Sequence, residues 1–190
     1  MPKDVIDRFD RALEEEFFRR IDDELANSLR EKWKHDRDLQ SLQKETQIAD
    51  TVVLEELLYV GIEPGCLPAM TLVPAIQVVW ANGFVEPMEL EAVIETAKGA
   101  GILPDSIAGD LLLTWLQCQP TPELFQVWED YITALKPIVK PESYRHLREQ
   151  AVSTAESVAL AAGGDSGVHA ISAAEQRVIN KIRDAFGASE

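Results

Sequence analysis

Residues 73–97, VPAIQVVWANGFVEPMELEAVIETA, narrow the choice of fold more than any other part of the chain. From Leu67 to Ala81 the sequence is almost free of charge and carries Met70, Leu72, Val73, Ile76, Val78, Val79 and Trp80. Such a run is too long for an ordinary strand, so it reads as a helix, and a helix apolar all round must be covered all round. Pro74 is compatible with it only near a helix start or a kink. Asn82-Gly83 then supplies a tight turn with positive φ. Glu86-Pro87 opens a second helix with Glu89 in its first turn. A buried helix, a tight turn and a second capped helix give a hairpin around which a helical domain can be built.

The remaining chain repeats this grammar. Helices are expected at about 48–60, 104–117, 122–135, 142–162 and 173–186, each bounded by Gly, Pro or a capping residue. No segment alternates with period two for long enough to form a sheet. The expectation is an all-α bundle of about seven helices over residues 46–190, preceded by a long helical arm over residues 1–45.

The arm lacks Pro and Gly between Lys3 and Asp50. Its apolar residues Phe9, Leu13, Phe17, Ile21, Leu25, Leu29 and Trp33 recur every fourth position. Each step of four overshoots the helical turn by about 40°, so the stripe rotates around a straight helix and cannot lie on one flat surface throughout. Either the helix breaks, best at Asn27-Ser28, or its halves pack against different surfaces. The arm is therefore expected to engage a protein partner or a second copy of the chain.

Charge excludes other partners. The formal net charge is −15, and residues 51–135 hold twelve acids against one base, Lys98. That field repels nucleic acid and anionic lipid and attracts cations and basic surfaces. No apolar run approaches the roughly 20 residues of a membrane span, and the charged N-terminus is unlike a secretory signal; a cytoplasmic protein is expected. Cys66 and Cys118 have no metal-ligand spacing and are expected as buried free thiols. His35, His146 and His169 form no catalytic or zinc pattern, and no phosphate loop or nucleophile elbow is present. A non-enzymatic protein is expected. An EF-hand phased on Gly83 and Glu89 would put Val78 and Trp80 at calcium-ligand positions, which neither can fill.

The hairpin has a counterpart near the C-terminus. Val85-Glu86-Pro87-Met88-Glu89 and Ile171-Ser172-Ala173-Ala174-Glu175 both set an apolar residue before a cap and an acid at the third helical position. With these two stretches in view, WANGFVEPMELEAVIETAKGAGI and VALAAGGDSGVHAISAAEQRVINKI resemble the tellurite-resistance TerB-like family, bacterial all-helical domains built from two related halves. The resemblance implies a stress-related, non-enzymatic module with a divalent cation held by acids between the halves. Carried across, those positions are Asn82, Glu86, Glu89 and Glu175, with Asp165 as a looser match. Asn82 stands where the family pattern has Asp, which removes one charge from such a site. The residues alone leave a second role open: Glu89 and Glu175 also suit helix capping.

Overall fold

The computed structural model describes residues 3–162 and 171–187; side chains are described except those of residues 3–15, 17, 18, 21, 22 and 162. The described chain is all-helical. Its elements are α1 (Lys3–Thr46), α2 (Thr51–Tyr59), α3 (Leu67–Met70), α4 (Val73–Val79), α5 (Pro87–Gly99), α6 (Ile107–Gln117), α7 (Glu123–Leu135), α8 (Pro141–Ala162) and α9 (Ala173–Ala185).

By packing, the chain divides into two bodies, residues 1–41 and 42–190. The first is the greater part of α1, a helix that continues without interruption through Asn27-Ser28, the best place for a break if the arm were to have one. Every residue from Asn27 to Arg37 is exposed. Asp38, the next residue, is buried and flanked by Lys34 at 3.8 Å and Arg37 at 3.6 Å. The last turn, with Leu42 and Thr46 buried, belongs to the second body.

In the second body α4 is the centre. Val73, Pro74, Ala75, Ile76, Val78 and Val79 are all buried, and α5, α7, α8 and α9 pack around the helix. Burying each of the larger side chains contributes about 1.5–3 kcal/mol, so this short helix anchors much of the core. Helix α8 lies against α4, α5 and α9 through Ala151, Ala155 and Ala159, small residues one turn apart that let neighbouring backbones approach. Trp128 stacks on Phe125 within α7 at 5.3 Å and meets Phe186 edge-on at 5.6 Å, joining α7 to the end of α9. The Trp80 indole donates to the carbonyl of Trp115 at 2.8 Å, tying the end of α4 to the end of α6.

Two expectations are corrected. The single helix over residues 67–81 is two helices, because Pro74 has no N–H for the carbonyl of Met70 and its ring would crowd that carbonyl. Pro68 and Pro74 each take a first-turn position instead. Among the described residues eight helices therefore follow α1, where about seven were expected. Cys66 is a buried free thiol, but Cys118 follows the last turn of α6 and is exposed.

Candidate functional site

The chain leaves α4 through Trp80, and the Gly83 N–H closes the turn on the Trp80 carbonyl at 3.0 Å. Gly83 has φ +87°, a left-handed conformation that a side chain would strain. This turn carries Asn82 past the start of α9 while the chain continues into α5. Ser172 Oγ donates to Asn82 Oδ1 at 3.4 Å, and Asn82 Nδ2 donates to Glu175 Oε1 at 3.5 Å.

Each half then caps itself. In α5 the backbone N–H of Glu86 donates to Glu89 Oε2 at 2.8 Å. In α9 the backbone N–H of Ser172 donates to Glu175 Oε2 at 2.6 Å, and the Glu175 N–H donates to Ser172 Oγ at 3.2 Å. Both are capping boxes, and each fixes an acid in the first turn, where the helix dipole favours negative charge.

The two acids are also buried. Glu89 is 2 % exposed and Glu175 3 %, and their carboxyls are hydrogen-bonding neighbours. Two carboxylates cannot hydrogen-bond to each other without a proton between them. Glu89 titrates at about 7, raised most by burial and held back by the Glu86 N–H. The charges of Glu175 and Glu86, and the hydrogen bond to Glu175, contribute to the rise.

Of the acids singled out in the sequence, Glu89 and Glu175 therefore meet, with Asn82 on the Glu175 side and Glu86 at the mouth of α5. Asp165 and His169 lie outside the described residues. The donor set is thin for a divalent cation: hard cations take six or more oxygens, and one oxygen of each glutamate is already committed to a backbone N–H. Among the described residues no group of three or more His, Cys, Asp or Glu is placed to hold a metal ion. The residues as arranged make a proton site more readily than a cation cage.

Sequence reasoning anticipated both capping boxes from the residues, whereas the meeting of their two acids was implied only by the family resemblance. Neither anticipated the work of Asn82, whose amide donates to Glu175 where an aspartate could only repel it. Asn82→Asp is expected to lower stability at pH 8 by about 1 kcal/mol, and by less at pH 5, where protons relieve the repulsion. Melting curves at the two pH values check this; equal stability of variant and wild type at pH 8 would contradict it.

Elsewhere in this body, a groove of about 670 Å³ between α5, α7 and α8 is lined by Leu72, Trp128, Tyr131, Leu147 and Phe186 among others. None of the paired acids lines it. His35 and His146 are both exposed. No described helix is long and apolar enough to cross a membrane. Comparison with protein-family profiles, with curated proteins and with solved structures gave no match.

Proposed function

We propose that this chain is a non-enzymatic, TerB-like helical module whose function is to dock another protein through α1. One observation carries the reading. Leu25, Leu29 and Trp33 stand on successive turns of α1 and are 57 %, 42 % and 67 % exposed. Single apolar residues on a surface are ordinary, but three on successive turns, within a stretch exposed from Asn27 to Arg37, form a face for a partner. A solvated helix also derives little stability from propensity alone and gains most from an apolar partner along one side. The acidic middle of the chain keeps nucleic acid and anionic lipid away and leaves protein as the partner.

Leu25→Ser/Leu29→Ser/Trp33→Ser tests the reading. The immobilised wild-type chain is expected to retain at least one protein from an extract of its own cells that the triple variant loses. Both should show the same cooperative melting of the second body. Identical sets of retained proteins would sink the docking role.

In this reading the Glu89–Glu175 pair joins the two related halves by a shared proton. The divalent cation implied by the family resemblance would need donors beyond Glu89, Glu175 and Asn82. Calcium, manganese or zinc at millimolar concentration, followed by melting temperature at pH 8, separates the two. A rise in the wild type that Glu89→Gln abolishes would favour the cation.

A further inference from the structure

We infer that the occupant of the α1 stripe is a second copy of this chain, its α1 crossing the first in antiparallel sense with the two Leu29 side chains at the centre. The inference rests on the proposed docking role of α1 and names its partner.

The spacing sets the geometry. A two-stranded coiled coil needs apolar residues every 3.5 positions, and Leu25, Leu29 and Trp33 are spaced by four. Residues four apart form a ridge inclined by about 26° to the helix axis, and two such ridges interdigitate when the helices cross at about −50°. Crossed helices touch over only a few turns, which matches a ridge of three exposed residues. The rotation of the stripe, which no flat partner could follow, suits a ridge that meets its own copy.

Charge sets the direction. Beside the ridge runs the row Glu24, Ser28 and Lys32, with Glu24 and Lys32 both exposed. In an antiparallel pair centred on Leu29, Glu24 of one copy lies beside Lys32 of the other, twice by symmetry. A parallel pair would instead set the acidic end around Glu24 beside the acidic end of the other copy, and the basic end around Lys32 beside the basic end. The wider pattern agrees: residues 22–24 are all acidic, whereas residues 30–37 hold Arg30, Lys32, Lys34 and Arg37 against Glu31 and Asp36. Opposite charges across an interface fix its register and reject the wrong orientation.

The experiment uses the purified full chain. Sedimentation across the micromolar range is expected to show a monomer–dimer equilibrium that Leu29→Ser shifts to monomer. Glu24→Lys and Lys32→Glu are each expected to weaken the dimer roughly fivefold, and the double exchange to restore it, as rim charges of opposite sign require. In a Cys118→Ser background, Leu29→Cys should cross-link between copies under mild oxidation. Glu24→Cys should not, since antiparallel pairing separates its two copies by about 15 Å along the axis. Cross-linking at both positions would mean a parallel pair and overturn the inference. So would a wild-type chain that stays monomeric throughout. If that monomer still retains a protein that Leu25→Ser/Leu29→Ser/Trp33→Ser loses, the docking role of α1 stands with a different occupant.

Discussion

Glu89→Gln is expected to stabilise the protein at pH 8 by about 2 kcal/mol and to leave it almost unchanged at pH 5. In the folded chain Glu89 titrates at about 7, against an ordinary value of 4.5. The folded state therefore holds a proton that the unfolded chain releases earlier. The sign follows: this group's contribution is fully present below about pH 4.5, falls as the pH rises toward 7, and is gone above it. At about 1.4 kcal/mol for each pH unit, the loss over that window is about 3 kcal/mol. Glutamine has nearly the same shape, keeps an oxygen for the Glu86 N–H and offers an amide to Glu175 at every pH. It gives up the attraction between a carboxylate and the helix N-terminus, about 0.5 kcal/mol, hence the smaller net gain. Urea unfolding at pH 5, 6, 7 and 8 should show the two proteins diverging as the pH rises, with a difference in melting temperature of about 5 °C at pH 8. Parallel curves across the range would mean that Glu89 carries no shared proton.

What makes this site hard to read in the sequence is the distance along the chain. Each capping box is local, an N-cap and an acid three residues on, and local rules found both. That Glu89 and Glu175 touch depends on how α5 and α9 are set around α4 and α8, and no spacing encodes it. The repeat contained a hint. Glu89 and Glu175 hold the same place, the third helical position of a capping box, in α5 and α9. Asn82 was visible as a departure from the Asp-Gly pattern, but its reason, a donor for Glu175, needs the same tertiary arrangement.

The helices themselves were more legible, because their signals lie within a turn of where they act. Pro87 and Ser172 mark the starts of α5 and α9, and Gly61 and Gly101 follow helix ends with positive φ, whereas α6 begins at Ile107 behind its cap Ser106 and not at the expected Pro104. The reading slipped where two local rules competed. Apolar continuity across residues 67–81 argued for one helix, and Pro74 argued against it. The proline prevailed because a missing hydrogen bond and a steric clash together outweigh any gain from continuing the helix. In α1 the rotating stripe left open a break or two halves packed against different surfaces, and the helix runs unbroken from Lys3 to Thr46.

Gly109→Ala is expected to destabilise the protein by about 2 kcal/mol, although it replaces the poorest ordinary helix former by the best inside α6. On propensity alone the change would stabilise by about 1 kcal/mol. The surroundings reverse the sign. A Cβ at Gly109 would lie 2.2 Å from the Leu103 carbonyl oxygen and 3.0 Å from that of Pro104, both backbone atoms. That carbonyl is not free to withdraw: the Ser106 hydroxyl donates to it at 2.7 Å, and the same hydroxyl accepts the Gly109 N–H at 3.1 Å. The serine that caps α6 thus also draws residues 103–105 onto the first turn of the helix, where only a glycine leaves room. An alanine must push the loop away and lose the cap, which costs about 1 kcal/mol for the cap and 1–3 kcal/mol for the overpacking. Ser106→Ala releases the loop, so the penalty of Gly109→Ala should shrink when both changes are made, a coupling that a double-mutant cycle measures. Additive effects in that cycle, or a Gly109→Ala protein as stable as the wild type, would show that the loop yields without cost.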